Sequence, residues 1–112
     1  MKNKIVLVPF PFDDLSSQKV RPAVCLTKEI QPYKHVVLAF ITSNVSSTPS
    51  DTDFVIDSKD VDFTRTGLKV SSTIRLHRLM TVSKKLVVSV LGELSPTQQA
   101  GIKKRLRNLF EI

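Results

Sequence analysis

His35, His77 and Cys25 are the side chains in this sequence whose types most directly suggest acid–base, nucleophilic or metal chemistry. Their number already limits them. One cysteine and two histidines cannot complete a four-ligand zinc site without carboxylates, so a zinc cluster is not expected; the three scattered glycines make no phosphate loop, and no cofactor is expected. Cys25 has no partner within the chain for a disulfide. It sits in an apolar run, where it reads as a small core residue. His77 has the near-neutral intrinsic pKa of a general acid or base, whereas His35 opens an apolar run and reads as structural. The more abundant chemistry is cationic. Lys69, Arg75, Arg78, Lys84 and Lys85 fall in one stretch that contains no acid.

That stretch belongs to an asymmetric chain. Residues 1–56 hold 6 basic and 5 acidic side chains, and residues 57–112 hold 11 and 5, giving a formal charge of +7 over 112 residues. Such a stripe concentrates polyanions, either nucleic acid or an acidic protein segment. The length fits a single domain over 1–112, burying roughly two-thirds of its unfolded surface. No apolar run approaches the ~18 residues of a membrane span, and the first residues lack a signal-peptide pattern. A cytoplasmic protein without membrane contact is the expectation.

The elements that must position these groups are short strands followed by one helix. Lys4 to Phe10, Val20 to Thr27, His35 to Thr42 and Asp53 to Ile56 are apolar, β-branched runs separated by Pro-, Ser- and Asp-rich segments. His35 to Thr42 reads as the central strand, and Pro22 requires a position where no ladder donor is needed. Asp57 or Ser58 is expected to cap one helical turn in 57–61. From Lys69 to His77, Val70, Ile74 and Leu76 alternate with Lys69, Ser71, Thr73, Arg75 and His77, a half-buried strand with a basic outer face. The phase slips near 77–79, which predicts a bulge. A last strand is expected over Leu86 to Leu94. Ser95-Pro96-Thr97-Gln98 is a capping box with Pro at the first helical position. It starts a helix to about Phe110, with Ile102, Leu106 and Leu109 toward the core. Phe10, Phe12 and Phe63 are the rings expected to be exposed. The pattern is mainly β (α+β): a small barrel of bent antiparallel strands with a C-terminal helix.

Several segments in order resemble the PemK/MazF-like toxins of type II toxin–antitoxin pairs. They are IVLVPFPFDDLSSQKVRPAVCL at the start, AFITSN at 39–44, LKVSSTIRLHRLMTVSKK at 68–85 and LGELSPTQQAGIKKRLRNL at 91–109. Each motif is weak alone; four in this order and spacing are specific. The resemblance implies an SH3-like barrel, a homodimer, and a metal-independent endoribonuclease acting on single-stranded RNA. It also implies neutralisation by an acidic antitoxin protein whose tail occupies the RNA groove.

Metal-free RNA cleavage uses the ribose 2′-oxygen as an internal nucleophile on the adjacent phosphorus. The enzyme must align that attack, offset charge on the phosphorane oxygens and manage two protons. By position, Arg21 and Thr42 match the family's catalytic pair. Arg21 would supply a planar, permanently charged fork to phosphate, and Thr42 and Ser43 hydroxyl donors to the same group. Ser16, Ser17, Gln18 and Lys19 in the first loop, with Arg75, His77 and Arg78, would contact RNA. Alone, an Arg before Pro is commonly solvated and a Thr at a strand end is commonly a β-former; the joint pattern singles them out.

Departures matter. Where many members have Ser-Glu-Gln in the first loop, this chain has Ser16-Ser17-Gln18, which removes a candidate base or Arg-orienting carboxylate. The usual Gly-Asp before the first strand is Asn3-Lys4. The fifth-strand block reads Arg78-Leu79-Met80-Thr81, with the positive charge two residues earlier than usual. Two other readings therefore stand beside an RNA-cleaving toxin. One is a toxin-fold binding module, either degenerate or poisoning a protein target such as a topoisomerase. The other is a plain nucleic-acid-binding barrel.

Overall fold

Alternating apolar residues in β1 (Lys4–Phe10), β2 (Lys19–Cys25), β3 (His35–Thr42) and β5 (Ser72–Ser83) give a sheet with an apolar surface on both faces. The computed structural model describes residues 1–10 and 19–112, residue 10 by its backbone alone. β4 (Asp53–Ile56) and β6 (Ser89–Glu93) complete a six-stranded antiparallel sheet in the order β4-β5-β3-β2-β1-β6. It curls into a small, half-open SH3-like barrel. A short turn of helix, α1 (Phe63–Thr66), and the helix α2 (Pro96–Phe110) are the helical elements.

Two clusters divide the interior. Ile5, Val24, Ala39, Ile41, Ile74 and Leu76 pack with Leu94 and Ile102 beneath α2. Val6, Val8, Ala23, Cys25, Val36, Leu38 and Val82 form the other. Because directly paired residues share a face, the register draws rows across the sheet. Val6 pairs Ala23, Ala23 pairs Phe40, Phe40 pairs Arg75, and Arg75 pairs Asp53. One row thus runs from apolar core to a charged rim. Cys25 is buried as expected, its Sγ 3.2 Å from the Thr27 carbonyl, and burial pushes its thiol pKa up.

The capping box closes as read from the sequence. Ser95 Oγ accepts from the Gln98 N–H at 3.1 Å, and Gln98 Oε1 accepts from the Ser95 N–H at 2.8 Å. Ser95 and Gln98 are themselves buried, so these bonds are shielded from water. The bulge also appears. Phe40 pairs Arg75 while Ala39 pairs Leu79, so residues 76–78 are extra on β5, and the Leu76 N–H turns to the Thr52 carbonyl instead.

Other boundaries moved. β5 begins at Ser72, not Lys69, and Val70 is exposed, because 67–70 forms a wall of the groove described below. Thr73 is buried, not outward, its hydroxyl donating to the Asn44 carbonyl. The helical turn falls at Phe63–Thr66; Asp57 Oδ1 instead accepts from the Lys59 N–H at 2.9 Å, closing a turn without a helix. Lys84–Leu86 makes a 3-10 turn, delaying the last strand to Ser89. Leu109 is more than a third exposed, because α2 outruns the sheet. Phe63 packs against the core, not outward; Phe12 and the Phe10 side chain lie outside the described residues, and Tyr33 and Phe110 are exposed rings.

Two glycines let backbone meet backbone. A Cβ on Gly92 would lie 2.1 Å from the Arg65 carbonyl oxygen, and one on Gly67 (φ +73°) would lie 2.2 Å from the Leu91 carbonyl oxygen. These contacts dock α1 against β6. Gly92→Ala is expected to destabilise the fold by about 1–3 kcal/mol, as overpacking against unyielding backbone does. Ser95→Ala is expected to lose about 1 kcal/mol with the cap. Urea unfolding monitored by circular dichroism measures both.

Candidate functional site

Pro22 has no N–H to extend a ladder toward β3, and the β2–β3 pairing ends beside it at Ala23–Phe40. Continuing the same register would set Arg21 opposite Thr42. Instead the strands part there, and a groove of about 780 Å³ opens between their ends and the 67–70 segment. Alternation puts Arg21 on the face of Ala23, and Thr42 on the face of Phe40 and Arg75. A guanidinium and a hydroxyl from separate strands therefore border one hollow, flanked by Ser43 and Asn44.

Thr42 is held in place by its neighbours. Its Oγ1 accepts from the Asn44 N–H at 3.2 Å, and the Asn44 carbonyl accepts from Thr73 Oγ1 at 3.1 Å. Since an N–H fills one acceptor site of Thr42, its own hydroxyl proton is left to donate. Arg21 is exposed.

The lining charges are all of one sign. Arg21, Lys69, Arg75 and Arg78 line the groove, and no Asp or Glu does so among the described residues. Four cations converging on a concave surface attract a polyanion and repel each other until one arrives. Arg78 reaches the groove from the bulge, which turns the strand at the point where the sequence loses its alternation.

Of the residues singled out in the sequence, Arg21, Thr42, Ser43, Arg75 and Arg78 line this groove together. Lys19 is exposed at the start of β2 and is not among the lining residues. His77 is also outside the lining; its Nδ1 is 3.2 Å from Thr52 Oγ1, which turns it toward the 50–53 turn. His35 is half-buried with its ring stacked on Tyr33 at 5.5 Å. Ser16, Ser17 and Gln18 lie outside the described residues. Sequence reasoning missed Lys69 and Asn44 as lining groups. Lys69 carried a signal, being the first cation of the acid-free stretch; Asn44 carried none. Among the described residues, no group of three or more His, Cys, Asp or Glu side chains could hold a metal ion, and no helix is long and apolar enough to cross a membrane.

The model of the PemK-like, MazF-like toxins of type II toxin–antitoxin systems matches residues 1–110. The chain belongs to that family. No curated protein matches it. Among solved structures it is similar to the Mycobacterium tuberculosis toxin MazF-mt6, with a TM-score of 0.73, 22% identity and 97% of each chain covered. An endoribonuclease in complex with its cognate antitoxin from mycobacterial species matches with a TM-score of 0.74 and 13% identity, covering 100% of this chain and 95% of that one. MazF from Deinococcus radiodurans gives 0.69 and 16% identity, over 99% and 96%. At these identities the three likenesses establish the fold.

In this toxin-family chain, the Thr73–Asn44 bond fastens the segment after β3 to β5. Thr73→Val preserves shape and removes the donor, leaving the Asn44 carbonyl without it. The expected loss is about 1 kcal/mol of stability, read as a lower thermal midpoint.

Proposed function

We propose that the protein is the toxin of a type II toxin–antitoxin pair and acts as a metal-independent, sequence-specific endoribonuclease on single-stranded RNA, inhibiting translation and growth. The observation that carries this is the meeting of Arg21 and Thr42, from different strands, at one basic groove. The chemistry needs little else to begin. The 2′-oxygen attacks phosphorus, the 5′-oxygen leaves, and a 2′,3′-cyclic phosphate and a 5′-hydroxyl result. One proton departs from the 2′-hydroxyl and one arrives at the leaving oxygen, so the cleavage step consumes no water. Arg21 offsets charge on the non-bridging oxygens as the phosphorane forms, which lowers the barrier more than it stabilises the ground state. Thr42, and Ser43 beside it, donate hydroxyl hydrogen bonds to the same oxygens. Lys69, Arg75 and Arg78 hold flanking phosphates, fixing the register of the strand.

An acidic antitoxin segment would fit the same lining by charge, and one structural neighbour, from mycobacterial species, is an endoribonuclease in complex with its cognate antitoxin. A homodimer acting in the cytoplasm completes the reading. The absence of a carboxylate from the described lining favours one second reading, a groove that binds RNA or a protein target without cleaving.

Incubation of purified protein with a long RNA in EDTA separates the two. Cleavage with a 2′,3′-cyclic phosphate end is expected from the wild type. Arg21→Ala is expected to lower the rate by at least about 100-fold, the scale of removing one oxyanion-stabilising donor, with an unchanged circular dichroism spectrum. Thr42→Val is expected to lower it by a smaller factor. Equal cleavage by wild type and Arg21→Ala removes Arg21 from its role, and no cleavage at high protein excess selects binding without catalysis.

A further inference from the structure

At the groove's edge stands a carboxylate gripped from several directions. Asp53 opens β4; its own N–H donates to the Ser50 carbonyl at 3.0 Å, and its Oδ2 accepts from the Ser50 N–H at 3.1 Å. Its carbonyl accepts from Arg105 Nε at 3.1 Å, and that guanidinium also lies over the Phe54 ring, 5.1 Å from its centroid. The helix α2 thus pins the residue from one side and the 50–53 turn from another. One polar atom is left over. Asp53 Oδ1 is buried and has no hydrogen-bond partner.

The group nearest in charge to that oxygen is Arg75. Its Nε stands 3.9 Å from Oδ1, and the two residues are direct cross-strand partners. That separation is too long for a hydrogen bond and within the reach of an ion pair. The partners differ in exposure: the Asp53 side chain is 11% exposed and that of Arg75 is 43% exposed. One partner is held by its neighbours, and the other is half-exposed at the groove it lines. Among the described residues, no hydrogen bond engages the Arg75 guanidinium.

We infer that Asp53 is a positioning residue: it takes the Nε–H of Arg75 and so turns the outer edge of the guanidinium, with its two Nη groups, onto a phosphate of the strand lying in the groove. The inference rests on the RNA-cleaving reading and deepens it by assigning one flanking phosphate site. The planar fork makes the arrangement specific, because committing Nε sets the direction of both Nη groups at once. Fixing a long side chain before binding also removes an ordering penalty from the binding step. A carboxylate beside a phosphate would repel it, so the anchor must stay behind the arginine. The grip of Ser50 and Arg105 does that. Asp53 thereby supplies, from β4, an Arg-orienting carboxylate of the kind that Ser16-Ser17-Gln18 lacks.

The test is a double-mutant cycle on affinity for a single-stranded RNA oligomer made uncleavable by 2′-O-methyl groups. Asp53→Asn and Arg75→Lys are each expected to weaken binding about tenfold, and the double variant to be weakened by about the same factor, not a hundredfold. On cleavable RNA, both single variants are expected to raise KM more than they lower kcat. Arg75→Lys keeps the charge on a half-exposed side chain, so it carries the test where Asp53→Asn does not fold. Wild-type affinity in Arg75→Lys, or losses that multiply in the double variant, overturn the positioning role while the RNA reading stands. A wild-type protein that does not bind the oligomer overturns both.

Discussion

The separation of β2 from β3 beyond Ala23–Phe40 is the constraint on which the site depends. Were the ladder to continue, Arg21 and Thr42 would be neighbours on a closed sheet, pressed together by a spacing too small for a nucleotide strand. Pro22 lacks the donor that continuation would use. The strands part at that residue, and the two side chains that a shared register would make adjacent become opposite banks of a groove. The remaining lining follows from the same row logic. Arg75 is paired to Phe40, so it must emerge on the groove face.

Concentrating four cations there works against the folded state, since like charges in a concave wall repel. The fold resists by making its walls stiff. Gly92 and Gly67 allow β6 and α1 to meet backbone to backbone, and the Lys4–Glu93 pair at 3.0 Å joins β1 to β6 at the same edge. The Lys4 ammonium holds the Glu93 carboxyl below its ordinary range. On the other side, Arg105 ties α2 to the Asp53 carbonyl and also donates to the Gly101 carbonyl one turn back in the same helix. The Gly67–Leu91 contact joins two lining residues directly, and β4, held by Arg105, is paired to the strand that carries Arg75.

The sequence reading succeeded where local chemistry decides. The capping box needs residues three apart, and Ser95 and Gln98 close it whatever else surrounds them. The bulge announced itself because an alternation cannot slip without an extra residue, and 76–78 are those extras. It failed where distant chain supplies the reason. Thr73 looked outward by alternation, but Asn44 brings a carbonyl to its hydroxyl from a loop 29 residues away. Val70 looked inward, but the strand starts after it. His77 fell in a basic stripe, and yet its ring sits against Thr52, outside the groove lining.

What the order of residues determined by itself was the supply of groups: the Arg-Pro step, the Ile-Thr strand end, the acid-free cationic stretch and the capped helix. Those depend on side-chain type and near-neighbour spacing, which a chain carries unfolded or folded. Only the tertiary structure decided which cations share a hollow, which acid stands behind Arg75, and that Lys69 and Asn44 join while Lys19 and His77 do not. Proximity between strands tens of residues apart is set by register, and register is settled by packing both faces of the curled sheet at once.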